Sequence, residues 1–347
     1  MQAGFIDGGT ILANIKDIAK HLGVSVSTVS RAMNNHPDVR QETKLQVMEA
    51  IRYFNYRPNA LAKGLIQKKT FTIGLMVPDL SDPFPTSLSN AVEETLFEQG
   101  YQVVFGNGNR NSEKEKQFLQ SAIERQFDGL ILTPDFLDDE FIELLSSLEI
   151  PIVFLRRRPP EGLSIPYVDV DHYQAATVSM NYLIELGHRQ IGFIGMPQSS
   201  FIGNERLRGY TDVMRKNGLT PEAGHMIFGG RTIESGREAM GKLFGHNPDL
   251  TAVFAANDLL GIGALEWLAM HDIPVPEKVS VIGFDNLEYA GLYWIQLTTM
   301  EQPRREMGRR AAQLLLQMIA DKEYTPESEL MEARLVIRRT CKARLTP

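Results

Sequence analysis

The sequence predicts an α/β protein in which a small all-helical unit precedes a body of two doubly wound parallel sheets. Up to about residue 58, apolar residues recur at spacings of three and four, the period of an amphipathic helix. From Thr72 onward, short apolar strands alternate with amphipathic helices, a pattern typical of parallel sheets covered on both faces. Roughly ten strands are too many for one small open sheet, and 347 residues suffice for two or three structural units. Two successive lobes are therefore expected after the helical unit.

Three helices are expected in the N-terminal unit, residues 14–58. Gly23 permits a tight turn after the first helix, and Ser25 is a good N-cap for the second. His36-Pro37-Asp38 breaks the chain before a third helix from about residue 40 to 54. Ile15, Ile18, Ala19 and Leu22 recur at helical spacing in the first helix, and the second carries Val26, Val29 and Met33. In the third helix, Leu45, Met48 and Ile51 are expected to form one inward stripe, with Val47 beside it.

The body, residues 71–347, is expected to form two lobes that divide near Val170. Lobe 1 takes residues 71–170 and 303–327, and lobe 2 takes residues 171–302 and 328–347, because a late helix and the segment 334–339 are expected to cross back between them. The expected strands are 72–77, 102–106, 129–133, 151–155, 167–171, 190–195, 225–229, 251–255 and 279–284. The expected helices are 84–98, 112–125 with Ser112 as its cap, 138–148, 173–186, 201–217, 233–244, 258–270 and 304–320.

Charge is distributed unevenly along the chain. Residues 14–70 carry ten lysines and arginines against four aspartates and glutamates, whereas residues 71–347 carry a net charge of −12. The whole chain has a net charge of −7, which conceals this asymmetry. Opposite signs in separate segments indicate that only the N-terminal unit meets a polyanion such as nucleic acid.

Composition excludes several classes of protein. With 43% hydrophobic and 23% charged residues, the chain is neither mainly disordered nor collagen-like. No apolar run approaches the roughly 18–20 residues that a membrane span needs. A single cysteine, Cys341, excludes an intramolecular disulfide and a multi-thiolate zinc site. Residues 1–13 are expected to be a flexible leader without the pattern of a secretory signal, so a soluble, cytoplasmic protein with no membrane partner is predicted.

The second helix has the composition of a helix that reads DNA. Two short helices joined by a glycine-containing turn can place the second one in the major groove. Arg31 could donate two hydrogen bonds to guanine O6 and N7, and Val26 could contact a thymine methyl group. A hairpin that serves packing alone is the alternative. The small donors and the cation expected on the exposed face are Ser25, Ser27, Thr28, Ser30 and Arg31.

The motifs IKDIAKHLGVSVSTVSRAMNN and YRPNALAKGL resemble the DNA-binding headpiece and hinge of the lactose-repressor (LacI/GalR) family of bacterial transcriptional regulators. The motifs VPDLSDPF, FDGLIL, LGHRQIGFIG, ERLRGY, FAANDLLGIGAL, VSVIGFDN and LTTMEQP follow in the order and spacing of that family's effector core, which is shaped like a periplasmic sugar-binding protein. The resemblance covers about residues 14–340. It implies a helix-turn-helix repressor of carbohydrate-related genes that binds a near-palindromic operator under the control of a small sugar-like effector.

Further expectations follow from this resemblance. It implies a homodimer, and the chain reaches Pro347 without the leucine-heptad tail that would pair dimers into tetramers. It also implies that residues 59–70 form a hinge that folds only against DNA, where Leu65 enters a minor-groove base step and lysines 63, 68 and 69 contact phosphates. A plain linker is the alternative. The residues implied to contact DNA are Ile15, Lys16, Ser25, Val26, Ser27, Thr28, Ser30, Arg31, Asn34, Tyr56, Asn59, Ala62, Lys63 and Leu65.

A ligand cleft is expected between the lobes, at the carboxyl ends of the strands, where open α/β sheets bind ligands. The resemblance implies that Phe84 stacks on the effector and that Arg206 and Asp285 clamp it by hydrogen bonds. The alternative for Asp258 and Asp285 is that they cap helices. The candidate effector-binding residues are Asp82, Phe84, Arg156, Arg206, Arg231, Asn257 and Asp285.

Two of these residues depart from the family pattern. Arg156 stands where many relatives carry an acidic residue, and Arg231 stands where an aromatic residue is common. With Arg206 they could place three guanidiniums in one cleft, and planar guanidinium forks suit carboxylate or phosphate oxygens. An anionic effector, either a sugar acid or a sugar phosphate, is therefore the hypothesis beside a neutral sugar. The alternative is that Arg156–Arg158 is a solvated surface run.

Two other classes of protein stay open. A solute-binding protein that feeds a transporter would have the same core, but the basic N-terminal unit counts against it. A sugar-converting enzyme would need a nucleophile–base set or a metal cluster. GxxxxGK[ST], HExxH and GxSxG are absent, and the seven histidines lack ligand spacing. No catalytic residue, metal or cofactor is therefore expected.

Overall fold

The computed structural model describes residues 14–56 and 69–344. The expected leader and most of the expected hinge lie outside these residues, so the predictions made for Asn59, Ala62, Lys63 and Leu65 stay predictions. The chain divides into two compact units, Met1–Thr70 and Phe71–Pro347. Within the described residues, no helix is long and apolar enough to cross a membrane.

The N-terminal unit contains the three expected helices: α1 (Ile15–Leu22), α2 (Val26–Met33) and α3 (Gln41–Tyr53). The side chain of Asn14 caps α1 by accepting hydrogen bonds from the backbone N–H groups of its first turn. Gly23 ends α1 in the left-handed conformation, at a φ of 67°, where a side chain would be strained. Ser25 caps α2 as predicted, since its hydroxyl accepts a hydrogen bond from the N–H of Thr28.

The inward face of α3 differs from the expected one. Leu45 is 59% exposed and Met48 is 44% exposed, whereas Val47 and Ala50 are buried. Val47, Ala50 and Ile51 also follow helical spacing, so the sequence allows two phases of the apolar stripe. In the phase that forms, the small side chain of Ala50 lies in the core, which also contains Ile18, Ala19, Val29 and Ala32.

The body contains two parallel sheets and a small antiparallel pair. The strands are β1 (Thr72–Val77), β2 (Gln102–Asn107), β3 (Gly129–Leu132), β4 (Ile152–Leu155), β5 (Tyr167–Val170), β6 (Ile191–Gly195), β7 (Met226–Phe228), β8 (Ala252–Ala255), β9 (Ser280–Ile282), β10 (Thr299–Glu301), β11 (Glu329–Met331) and β12 (Arg334–Val336). The first sheet has the order β11-β5-β4-β3-β1-β2, the second has the order β7-β6-β8-β9, and β10 pairs with β12.

Helices cover both sheets, as the continuously apolar strands predicted. The helices are α4 (Phe84–Phe97), α5 (Ser112–Glu124), α6 (Asp139–Ser147), α7 (His172–Glu185), α8 (Phe201–Lys216), α9 (Ile233–His246), α10 (Asp258–Met270) and α11 (Arg304–Ala320). In the first lobe, α4 packs against α11, and α5 packs against α6. In the second lobe, α7 packs against α8, and α9 packs against α10. Apolar cores occupy both lobes, which is the doubly wound arrangement.

The chain crosses between the lobes at three places. The first crossing joins β5 to α7, the second joins β10 to α11, and the third joins β11 to β12. The expected return to the second lobe at residue 328 is wrong, because Glu329–Met331 pairs in parallel with Asp169 and its neighbours on β5. The return follows Met331 instead. The cap expected at Ser112 is also corrected, because the side chain of Asn111 caps α5.

Candidate ligand cleft and nucleic-acid interface

A cleft between the two lobes collects the residues that follow the strands of both sheets. This is the place where open α/β sheets bind ligands, because the carboxyl ends of parallel strands meet at one edge. The residues that line it from the first lobe are Pro78, Asp82, Phe84, Arg110, Thr133, Pro134, Asp135, Arg156 and Arg157. The residues that line it from the second lobe are Met196, Ser200, Phe201, Ile202, Arg231, Asn257 and Asp285.

Six of the seven candidate effector-binding residues line this cleft; the exception is Arg206. That side chain is fully buried on α8, behind the cleft, where its guanidinium lies 3.6 Å from the centre of the Phe284 ring. It donates to the carbonyl of Ala256, and its Nη2 lies 3.4 Å from Oδ1 of Asp285. The geometry therefore makes Arg206 the support of Asp285 rather than a lining residue.

His172 extends this cluster towards the first lobe. Its Nδ1 lies 3.3 Å from Nη2 of Arg206, and its Nε2 lies 3.2 Å from Oδ1 of Asp169. Because a guanidinium only donates, Nδ1 must accept and Nε2 must carry the proton. Burial lowers the pKa of His172, against the opposing effect of Asp169, which is consistent with this neutral tautomer.

The buried cluster joins two of the lobe crossings. Asp169 lies on β5, and His172 begins α7, on either side of the first crossing. At the second crossing, Gln302 donates to Oδ1 of Asp285 over 2.6 Å. A continuous buried polar chain thus runs from Asp169 through His172, Arg206 and Asp285 to Gln302. A ligand that contacts Asp285 contacts this chain directly.

Helix α10 begins at the cleft, and its cap differs from the alternative considered for Asp258. Asn257 is the N-cap, since its Oδ1 accepts from the N–H of Leu260 over 2.8 Å, and its Nδ2 donates to the carbonyl of Arg231. Asp258 is buried and accepts hydrogen bonds from the Thr299 hydroxyl and the Leu287 N–H. Burial raises the pKa of Asp258 to about 7. Neither Asp258 nor Asp285 caps a helix.

The arginines of the cleft differ in their partners. Arg110 pairs with three carboxylates: Nη1 lies 2.9 Å from Asp135, Nη2 lies 3.1 Å from Asp82, and Nε lies 3.6 Å from Asp79. The guanidinium of Arg156 instead lies flat on Phe84, 3.7 Å from the centre of the ring. The ring of Phe84, which is expected to stack on an effector, is therefore in contact with the guanidinium of Arg156.

The run Arg156–Arg158 does not lie free on the surface. Arg157 lies 4.9 Å from the centre of the Phe201 ring and lines the cleft with Arg156. Nε of Arg158 lies 3.8 Å from the buried carboxylate of Asp169. The alternative of a solvated surface run is therefore wrong. Burial lowers the pKa values of Arg156 and Arg157, against the opposing effect of nearby aspartates.

Two cleft residues have an unusual backbone conformation. Arg156 has a φ of 59°, and Asp285 has a φ of 124°. Side chains other than glycine are rare in this region, and each instance costs of order 1–3 kcal/mol. Packing and hydrogen bonds of the surrounding structure hold both residues there.

Sequence reasoning missed several lining residues, of which Arg110, Asp135 and Arg157 carry charge. Arg110 and Asp135 each lie three residues after a strand, so the search for side chains beyond strand ends would have found them. Glu115, on α5, is buried and accepts hydrogen bonds from the N–H groups of Asp135 and Phe136. Burial raises the pKa of Glu115 to about 7. It therefore holds the loop that presents Asp135.

The candidate nucleic-acid interface is the exposed face of α2. The side chain of Arg31 has no ion pair or hydrogen bond within the described residues, and α2 contains no acidic residue. The Ser25 hydroxyl serves as the cap and lies within hydrogen-bond distance of the Ser27 and Thr28 hydroxyls. Of the residues predicted to contact DNA, Lys16, Ser25, Val26, Ser27, Arg31 and Asn34 are exposed, and Ile15, Thr28, Ser30 and Tyr56 are half-buried.

The described residues contain no group of three or more histidine, cysteine, aspartate or glutamate side chains arranged to hold a metal ion. The cleft offers guanidiniums, carboxylates and hydroxyl groups instead. These groups suit a polar organic ligand with hydroxyl and acidic substituents.

Comparisons with known proteins match both units of the chain. A family model described as periplasmic binding proteins and sugar binding domain of the LacI family matches residues 70–339, and one described as bacterial regulatory proteins, lacI family, matches residues 14–59. The HTH-type transcriptional repressor CytR of Escherichia coli (strain K12) is 35% identical over 332 residues, which are 95% of this chain and 97% of that protein. The catabolite control protein A of Priestia megaterium is 32% identical over 302 residues, which are 87% and 91% of the two chains.

Solved structures resemble the whole chain as well. The lac repressor dimer bound to operator and the anti-inducer ONPF has a TM-score of 0.86 and 27% identity, over 95% of this chain and 99% of that one. A complex of the transcriptional regulator CelR with cellobiose has a TM-score of 0.72 and 31% identity, over 94% and 99% of the two chains.

Proposed function

The chain belongs to the LacI family of bacterial regulatory proteins, and we propose that it is a repressor whose affinity for operator DNA is controlled by a small ligand in the interlobe cleft. The observation that carries this proposal is the combination, in one chain, of a basic three-helix unit with a two-lobed receptor. Neither a solute-binding protein nor a sugar-converting enzyme needs a basic three-helix unit. We assign base reading to residues 14–58, a DNA-dependent hinge to residues 59–70, and ligand binding and dimerisation to residues 71–347.

Base reading is assigned to α2. The Arg31 guanidinium is free to make two parallel hydrogen bonds with a guanine, and the 40% exposed Val26 offers a methyl contact to thymine. Lys16, at the start of α1, is assigned a phosphate contact, as are backbone N–H groups at the N-terminus of the helix. A chain with this target acts in the cytoplasm.

Dimerisation is assigned to two apolar patches on the body. In the second lobe, Tyr293 is 66% exposed and Trp294 is 91% exposed; in the first lobe, Phe97 is 61% exposed and Phe105 is 44% exposed. Large exposed aromatic side chains mark interaction surfaces, and a two-fold axis covers each patch with its own copy. Such a dimer presents two recognition helices and therefore reads a near-palindromic operator.

Ligand control is assigned to movement of the lobes. A ligand that contacts both lobes favours the closed arrangement by the difference in its affinity for the closed and open forms. The buried chain from Asp169 to Gln302 joins the cleft to two of the three crossings, so closure changes the geometry at the crossings. Because each lobe carries one dimer patch, the same movement changes the spacing of the paired N-terminal units.

The test uses the purified full chain and a pool of randomised duplexes. Repeated selection at low salt is expected to enrich one near-palindromic sequence, and fluorescence anisotropy is expected to show a preference of at least about 10³-fold over a scrambled duplex. Failure to enrich any sequence would overturn the regulator and favour the solute-binding alternative. Turnover of a bound sugar, followed by mass spectrometry, would favour the enzyme.

A further inference from the structure

We infer that the ligand of the cleft is a polyhydroxylated acid with a single negative charge, a sugar acid, whose carboxylate binds among Arg156, Arg157 and Arg231. This inference rests on the proposed function only in placing a regulatory ligand in the cleft. It narrows the choice among a neutral sugar, a sugar acid and a sugar phosphate to one class.

The three guanidiniums share one property: none makes an ion pair or a side-chain hydrogen bond within the described residues. Nε of Arg156 and Nε of Arg157 are buried without a hydrogen-bond partner. Burial of an unpaired cation is costly, and proteins supply such groups with a counter-charge. In the same cleft, Arg110 differs from these three residues, because its guanidinium is paired with three carboxylates.

Two of the three guanidiniums are oriented by aromatic rings, and the third residue is fixed through its backbone. Arg156 lies on Phe84, and Arg157 lies near the Phe201 ring. The carbonyl of Arg231 accepts a hydrogen bond from the N-cap residue Asn257, which fixes its backbone beside the cleft. Aromatic stacking orients a planar fork, whose terminal N–H groups can donate two parallel hydrogen bonds to a carboxylate. Arg156 and Arg157 are therefore oriented before an oxyanion binds.

The charge of the cleft limits the charge of its ligand. Four arginines and three aspartates line it, which gives a net charge of about +1. Behind the lining, the charges of Arg206 and Arg158 are balanced by those of Asp79 and Asp169, in the pairs Arg206–Asp285, Arg110–Asp79 and Arg158–Asp169. A carboxylate neutralises this excess, whereas a phosphate monoester, which carries nearly two negative charges at pH 7, leaves a surplus beside Asp82, Asp135 and Asp285. The balance therefore favours a carboxylate over a phosphate.

The other groups of the cleft fit hydroxyl groups. The side chain of Asp285 has Oδ1 engaged by Gln302 and Arg206, which leaves Oδ2 to accept from a ligand hydroxyl. Thr133 and Ser200 also line the cleft and carry hydroxyls of their own. Aspartate and hydroxyl side chains around an arginine cluster suit a molecule with an acid at one end and a polyol along the rest.

The first experiment measures binding of matched compounds to the full chain by isothermal titration calorimetry. The probes are glucose and galactose, the corresponding hexuronates and hexonates, and the corresponding hexose 6-phosphates. At least one monocarboxylate is expected to bind about 10- to 100-fold more tightly than its neutral parent and its phosphate, the factor expected of charge-assisted hydrogen bonds. Its affinity is expected to fall as salt rises. Binding of only neutral sugars, of only phosphates, or of no acid in the panel would overturn the inference.

The second experiment uses variants. Arg156→Gln and Arg231→Gln are each expected to weaken the acid by about 10- to 100-fold. Arg208→Gln is the matched control, because Arg208 also lies over an aromatic ring, 4.3 Å from the centre of Tyr173, but does not line the cleft. Equal losses in all three variants would overturn the inference. Thermal unfolding checks that each variant folds. Arg231→Lys keeps the positive charge and loses the planar fork, so it measures how much of the affinity depends on the fork.

The two proposals fail separately. One outcome is that the chain binds the selected operator while only a neutral sugar or a sugar phosphate changes its affinity for that operator. In that case the inferred ligand class is wrong, and the proposal that the chain is a regulator is retained. If an acid binds in the cleft but no duplex is enriched, the regulator is wrong and the ligand class stands.

Discussion

The buried arginine behind the cleft offers the most demanding test of the structure. The substitution Arg206→Met replaces the aliphatic part of the side chain by an unbranched apolar one and removes the guanidinium with its charge. Asp285 then loses its cation, and Nδ1 of His172 and the carbonyl of Ala256 each lose a donor. Arg206, His172 and Ala256 are almost fully buried and Asp285 is 5% exposed, so water replaces the lost donors poorly.

The expected loss follows from these contacts. Removing one partner of a buried ion pair destabilises a protein by about 3–5 kcal/mol, because the other charge stays buried. Loss of the contact with Phe284 adds of order 1 kcal/mol. Since burial already raises the pKa of Asp285, protonation of that carboxyl offsets part of the cost. We therefore expect a net loss of about 3 kcal/mol in the free energy of unfolding at pH 7.

Urea denaturation followed by circular dichroism measures this loss. Arg208→Met, two residues further along the same helix and largely exposed, is the control and is expected to change stability by less than about 0.5 kcal/mol. The double variant Arg206→Met with Asp285→Asn is expected to recover part of the stability, because no unpaired charge is left. A loss below about 1 kcal/mol in the single variant, or purely additive losses in the double variant, would show that Arg206 and Asp285 do not stabilise each other.

Three further predictions concern other parts of the chain. In anisotropy titrations, Arg31→Ala should reduce the preference for one base at one operator position by about 1–3 kcal/mol. Arg52→Ala should leave that preference unchanged, and equal effects of the two variants would contradict base reading by Arg31. Trp294→Ala should weaken self-association by about 2 kcal/mol in sedimentation equilibrium, and an unchanged dimer would exclude this patch. Burial raises the pKa of Glu115 to about 7, so this group contributes about 3 kcal/mol of stability at pH 4.5 that is lost by pH 8. In urea titrations, Glu115→Gln should reduce the pH dependence of stability by this amount and Glu113→Gln should not; the remaining dependence includes that of Asp258, whose pKa is also raised to about 7.

Much of the fold could be predicted because each strand and helix has its own signal. The strand Thr72–Val77 and the helix Arg304–Ala320 have the predicted bounds. The short strands β10 and β11, with three residues each, have no periodicity of their own and form only through pairing. The inward face of α3 could not be predicted, because Leu45 and Val47 offer competing stripes and tertiary packing selects between them.

The site could be predicted in position but only partly in detail. Strand order brings Asp82, Arg231 and Asp285 to one cleft, and this follows from topology. Which side chains pair with one another does not follow. Arg110 is neutralised by aspartates far from it in sequence, and Arg156 is not; Arg206 lies behind the cleft because Phe284 and Ala256 offer it a buried position.

The left-handed backbone at Arg156 lowers the thermal stability of the protein. Glycine at this position would relieve the strain, since glycine adopts such conformations at no steric cost. It would also delete a side chain that we propose binds the ligand. Asp285 differs, because glycine there would leave the buried Arg206 unpaired and is expected to lower stability. Selection for heat resistance alone is therefore expected to remove ligand binding at Arg156 and to leave the N-terminal unit unchanged.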